Sequence, residues 1–112
     1  MKNGQVIDFN GDEYWYKNDL FHSENDKPSI EWSDGSLFWH KEGKLHREAD
    51  KPAVIGANGH RSWYKEGLRH REGGLPAIEY RDGTKEWYYE GKKLEVSSNE
   101  EALRMIKMKA FW

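Results

Sequence analysis

The sequence predicts a mainly β fold: an elongated, twisted antiparallel sheet of repeated β-hairpins, closed at its C-terminal end by a capping α-helix. Three observations carry that expectation. Trp15, Trp39, Trp63 and Trp87 recur every 24 residues, and Gly11, Gly35, Gly59 and Gly83 keep the same step. So do His22, His46 and His70, then Pro28, Pro52 and Pro76, and then Gly43, Gly67 and Gly91. A fixed period of this size marks stacked units, each burying a face against its neighbours. Second, every unit has two β-rich runs around Asn10-Gly11, Asp34-Gly35, Asn58-Gly59 or Asp82-Gly83, dipeptides suited to the positive φ angles of a tight hairpin turn. Third, the tail "SSNEEALRMIKMKAFW" abandons the repeat for roughly helical spacing.

The chain opens in mid-unit with "GQVIDFNG", whose Val6 is in phase with Ile30, Val54 and Ile78. Strands are expected near 5–9, 12–17, 28–33, 36–41, 52–56, 60–65, 76–81 and 84–89, with short extended pieces around 20–22, 44–46 and 68–70. The second strand of a unit ends at a turn such as "KEG" (41–43 and 65–67), and a polar link such as "HREADKP" leads to the next unit. Proline fits the start of that next strand, where a missing N–H is tolerated. Repetition fades near Leu94, which separates a repeat domain (1–96) from a C-terminal helix (97–112). Ser98 and Glu101 form a capping box, and Leu103, Met105, Ile106, Ala110 and Phe111 follow at helical spacing. Glu100 and Glu101 suit a helix N-terminus, and Lys107 and Lys109 suit the other end, so the helix is predicted over about 98–110. It is expected to cover the apolar end of the stack; the alternative is a docking arm offering Met, Phe and Trp to a partner.

Alternation assigns the faces. The tryptophans lie on one side and Tyr16, His40, Tyr64 and Tyr88 on the other. The Ile30, Val54 and Ile78 column is placed with the tryptophans, branched aliphatics packing beside broad rings, which makes that side the core. Ser29, Ala53 and Ala77 are assigned to the wetter tyrosine side.

At 112 residues the chain is one domain, too small for a large enclosed pocket. Six Trp, six Tyr and four Phe argue for an ordered core despite the polar average. The net charge of −2 removes the simplest case for nucleic-acid binding. Without cysteine there is no disulfide, thiolate metal site or thiol nucleophile. No run resembles a signal peptide or a membrane span, so a cytoplasmic protein with no membrane insertion is expected.

The core pattern G-x-x-x-W-Y-x-x-G in residues 59–67 and 83–91, and its longer form W-Y-x-x-G-x-x-H-R-x-x-x-x-P-A from Trp63 to Ala77, resemble the MORN-like repeats scattered through phage, giant-virus and bacterial proteins. The resemblance covers residues 4 to about 94. It implies an elongated antiparallel sheet that acts as a protein-binding or membrane-associated module. The chain departs from the usual MORN unit by lacking its later glycine pair and using His-Arg and Pro-Ala positions instead.

The His22, His46 and His70 column invites a metal reading, which geometry opposes. Equivalent residues in neighbouring hairpins lie about 9.5 Å apart, twice the strand spacing, whereas two imidazoles on one zinc need nitrogens roughly 3.3 Å apart. A scaffolding role is expected for these histidines. Arg47 and Arg71 are expected to pair with carboxylates or to lie over rings. The carboxylate pairs Glu24/Asp26 and Glu48/Asp50 have the residue types of glycosidases but no implied pocket. No catalytic residue, metal or cofactor is predicted.

The expected function is therefore non-enzymatic protein binding, with Tyr16, His40, Tyr64, Tyr88, Arg47, Arg69 and Arg71 as partner-binding candidates. A concrete version suggested by the resemblance is a small phage-type inhibitor that occupies a host protein such as a defence nuclease. The alternative is a nucleic-acid or small-anion binder using an aromatic and basic strip, and a hydrolase ranks last. The edge of the first strand, "QVIDF", is open to self-association.

Overall fold

Residues 2–108 are described by a computed structural model, as fourteen short strands and one helix. In chain order these are β1 (Gly4–Ile7), β2 (Glu13–Lys17), β3 (Leu20–Phe21), β4 (Ile30–Glu31), β5 (Leu37–Phe38), β6 (His40–Lys41), β7 (Lys44–Leu45) and β8 (Val54–Ile55). They continue as β9 (Arg61–Ser62), β10 (Tyr64–Lys65), β11 (Leu68–Arg69), β12 (Ile78–Glu79), β13 (Lys85–Tyr89), β14 (Lys92–Leu94) and α1 (Asn99–Met108). One long open sheet runs β1-β2-β4-β5-β8-β9-β12-β13-β14, with β3 beside β2, while β6–β7 and β10–β11 form separate pairs. Every pairing is antiparallel. The molecule measures 46 × 30 × 20 Å with a radius of gyration of 15.5 Å, against about 13 Å for a compact domain of this length. It is elongated, as expected.

The hairpins expected at the Asn-Gly and Asp-Gly dipeptides form, but with one left-handed residue in each turn rather than two. At Asp34-Gly35 only the glycine is left-handed (φ 97°). Its N–H donates to the Trp32 carbonyl, while the Ser36 N–H donates to Asp34 Oδ1. This is a three-residue loop closed by a left-handed glycine rather than a two-residue turn. Positive φ at two successive positions occurs instead at Asn18-Asp19, Glu42-Gly43, Glu66-Gly67 and Glu90-Gly91, at the opposite end of the unit, and again within the links at Asn25-Asp26, Ala49-Asp50 and Gly73-Gly74.

The predicted strands 36–41 and 60–65 each divide at their tryptophan. The Trp39 N–H donates to the Ala53 carbonyl of the next unit, whereas the Trp39 carbonyl accepts the His46 N–H from its own. The chain changes partners at that residue, leaving the long sheet for a second row of short hairpins. The three predicted short pieces appear as β3, β7 and β11. A fourth, β14, was not anticipated, although it follows Glu90-Gly91 one period after β11.

The register corrects the face assignment. Strand pairing aligns Tyr14, Ile30, Phe38, Val54, Ser62, Ile78 and Glu86 in one row. The aliphatic column therefore shares a side with the residue preceding each tryptophan, and lies opposite the tryptophan itself. The tryptophans instead neighbour Ser29, Ala53 and Ala77, through bonds from the N–H groups of Trp15, Trp39 and Trp63 to those residues' carbonyls. All three small residues are 0% exposed, so they are the floor of the core rather than part of a wet face.

The polar links cover the tryptophans, of which Trp39, Trp63 and Trp87 are buried, and Ile30 and Ile78 of the opposite row are buried as well, so both sides contribute to the core. At the C-terminal end Trp87, Leu94 and Ala102 form a buried cluster flanked by Tyr89, Val96, Met105 and Ile106, so α1 lies on the last unit. The capping box forms, with the Glu101 N–H donating to Ser98 Oγ at 3.2 Å. Lys109, Ala110, Phe111 and Trp112, included in the expected helix or docking arm, lie outside the described residues.

Candidate partner-binding face

The residues that repeat most strictly are bonded to one another. His22, His46 and His70 each accept, at Nδ1, the backbone N–H of Glu42, Glu66 and Glu90 at 3.2, 3.0 and 2.9 Å. Each imidazole thus caps the two-residue turn of the following unit. With Nδ1 an acceptor, the ring proton sits on Nε2, which meets Glu24 at 3.3 Å, Glu48 at 2.8 Å and Glu72. The exchange His70→Ala leaves the Glu90 N–H without its partner, and a destabilisation of about 2 kcal/mol is expected, measured by urea unfolding.

Arg47 and Arg71 are held in the same lattice. Their guanidinium carbons lie 3.6 and 3.8 Å from the ring centres of Trp39 and Trp63. Arg47 also reaches Asp26 and the Pro52 carbonyl, and Arg71 reaches Asp50, Glu79 and the Pro76 carbonyl. Under the rings, Trp39 Nε1 donates to the Asp26 carbonyl and Trp63 Nε1 to the Asp50 carbonyl. Hydrogen bonds from Arg47 and Lys51 hold the Asp26 carboxyl down to about 2. Only 13 and 12% of the Arg47 and Arg71 side chains are exposed, so these two arginines stand apart from the other candidates.

The remaining candidates fall into one row along the short hairpins. Tyr16 pairs with Phe21, His40 with Leu45, Tyr64 with Arg69 and Tyr88 with Lys93. Phe21 lies between Tyr16 and His40, at ring distances of 5.1 and 5.3 Å. Two units on, Arg69 takes the equivalent place, its guanidinium 5.7 Å from the Tyr64 ring and 5.3 Å from the Tyr88 ring, with Nε donating to the Tyr64 hydroxyl. The structure thus brings Tyr16, His40, Tyr64 and Tyr88 onto equivalent positions of one half-exposed row, with Arg69 in the column between them. His40 is turned inward, its Nδ1 2.7 Å from the Ser29 hydroxyl, and burial pushes its imidazole down from the usual value.

The sequence reading missed the intervening column of Phe21, Leu45, Arg69 and Lys93, apart from Arg69. Stepping 24 residues from Arg69 finds the others. That column changes from apolar to cationic along the molecule. The C-terminal part is also tied internally: Lys93 Nζ meets Glu86 at 3.1 Å, and the Tyr80 hydroxyl donates to the same carboxylate at 2.5 Å. Those bonds hold the Glu86 carboxyl below its ordinary range and push Tyr80 up.

Open clefts of 420, 400 and 410 Å³ recur at the unit boundaries, beside Trp15 and His22, Trp39 and His46, and Trp63 and His70. The carboxylates near them are engaged: Glu24 with Lys17 and His22, Glu48 with His46, and Asp50 with Arg71. Among the described residues no three His, Asp or Glu side chains converge to hold a metal ion, and no helix is long and apolar enough to cross a membrane. Comparison of the chain with protein-family models, with curated proteins and with solved structures gave no match.

Proposed function

We propose that the chain is a non-enzymatic protein-binding module of the MORN-like type, engaging its partner through the row built on Tyr16, His40, Tyr64, Arg69 and Tyr88. One observation supports this above the rest. The strictly repeated His, Arg and Trp side chains are consumed in holding units together, whereas the row of rings between them stays half-exposed and carries a column that differs from unit to unit. Tyr and Arg on a rigid sheet supply contact area at low entropic cost and dominate binding energy at protein interfaces. The column from Phe21 and Leu45 to Arg69 and Lys93 selects a partner with an apolar patch beside an acidic one, about 19 Å apart from Phe21 to Arg69. A small inhibitor that occupies a host protein such as a defence nuclease fits that description, in keeping with the phage-type company of the motif.

The test uses the purified chain as bait, followed by quantification of the complex. A stoichiometric protein partner is expected, with affinity falling at least ten-fold, about 1.4 kcal/mol, in both Arg69→Glu and Tyr88→Ala while the melting midpoint stays within a few degrees. Capture that is indifferent to both variants sinks the assignment of the face. Retention of single-stranded DNA alone, lost steeply with salt, would move the reading to nucleic acid.

A further inference from the structure

The two ends of the long sheet are finished differently. At one end β14 carries Lys92 and Lys93, and its Leu94 is 2% exposed within the cluster under α1. Charged residues and a covering element are the usual protection of a sheet edge. At the other end β1 is Gly-Gln-Val-Ile, with no charge or proline. Val6 is 42% exposed, Ile7 60% and the neighbouring Phe9 98%.

The hydrogen-bond phase shows which backbone groups face outward. The Asp8 N–H donates to the Asp12 carbonyl, and the Lys2 carbonyl accepts the Asp19 N–H, so even-numbered residues bond inward to β2. In an antiparallel ladder the alternate residues point the other way, which leaves the N–H and C=O groups of Asn3, Gln5 and Ile7 on the open side.

We propose that this edge pairs with β1 of a second copy of the chain, antiparallel about a two-fold axis at Gln5. In that register Gln5 faces Gln5, Asn3 faces Ile7 and Gly4 faces Val6, so every outward group meets an outward group. Lys2 then stands across from Asp8 of the other copy, twice by symmetry, which complements the charges at both ends of the contact. Every existing neighbour in the sheet is antiparallel, so the junction continues the pattern already present. A two-fold contact uses the same patch on both copies and closes at a dimer instead of growing into a filament. Four residues a side fall well short of the ~1,200 Å² of a standard interface, so the dimer is a micromolar one. The tyrosine row takes no part, and failure here leaves the partner-binding reading untouched.

Sedimentation of the full chain over roughly 1–500 µM tests the proposal. A monomer–dimer equilibrium is expected. Gln5→Pro removes an outward N–H at the two-fold axis while sparing the inward ladder, and Gln5→Lys sets like charges face to face; each should weaken dimerisation at least ten-fold. Circular dichroism at low concentration confirms that the variants are folded. A chain that stays monomeric throughout, a dimer insensitive to both substitutions, or species larger than two would each overturn the proposal.

Discussion

Replacing Trp63 with alanine is expected to remove about 4 kcal/mol of stability and to lower the melting midpoint by ~15 °C or more. The ring is 6% exposed, Nε1 donates to the Asp50 carbonyl at 2.9 Å and Arg71 stacks on its face. Its neighbour Ala77 is 0% exposed and has no side chain with which to fill the space. The substitution leaves a void, an unpaired carbonyl and an arginine without its aromatic support. A loss of this size approaches the whole stability of a small domain. Trp15 offers the internal comparison. It is 37% exposed, with no link of an earlier unit over it among the described residues, and Trp15→Ala should cost only about 1 kcal/mol. Calorimetry and urea unfolding of the two variants measure the difference. Equal losses would show that the links over the rings contribute little.

Gly74→Asp is expected to release α1 from the last unit and to cost roughly 3 kcal/mol. Position 74 is in phase with Asp26 and Asp50, the residues that bind the arginine of the following unit. Here no arginine follows, since the corresponding residue is Glu95. A Cβ added to Gly74 would stand 2.7 Å from the Asn99 carbonyl oxygen and 2.8 Å from Leu103 Cβ, inside the helix that has taken the arginine's place. Trp87 Nε1 meanwhile donates to both the Gly74 carbonyl and Asn99 Oδ1, tying helix and link to the same ring. The φ of 73° at Gly74 is no obstacle to aspartate, because Asp26 and Asp50 adopt 59° and 54° themselves. The loss therefore isolates the collision with the helix. Hydrogen exchange should show α1 losing protection while the amides around Trp39 keep theirs; a helix as protected as before would refute the account.

Much of this architecture was legible in the residues. The step from Trp15 to Trp87 set the units, and the capping box at Ser98 set the start of the helix to within a residue. What escaped was register. Alternation along a strand says that Trp39 and Phe38 point to opposite sides, but not which column of the next strand lies beside either, and that depends on backbone bonds across units. The clue to the burial of Ser29, Ala53 and Ala77 was size: none of the three exceeds a serine, and all are 0% exposed. Turn chemistry escaped for a related reason. Asp34-Gly35 and Glu42-Gly43 both supply a left-handed glycine, and the choice between a two- and a three-residue loop is made by how the flanking strands pair. At the candidate face, the dipeptide His-Arg drew Arg47 and Arg71 into the same set as Arg69, although two of them brace tryptophans and one stands between tyrosines.

The histidine and arginine bonds that fasten one unit to the next all span 20 or 21 residues. Among the described residues these bonds tie each module to its immediate neighbour. Tandem duplication of a single module would hence lengthen the rod by about 10 Å without redesign of any seam. Reach across a target could in this way be adjusted by copy number alone.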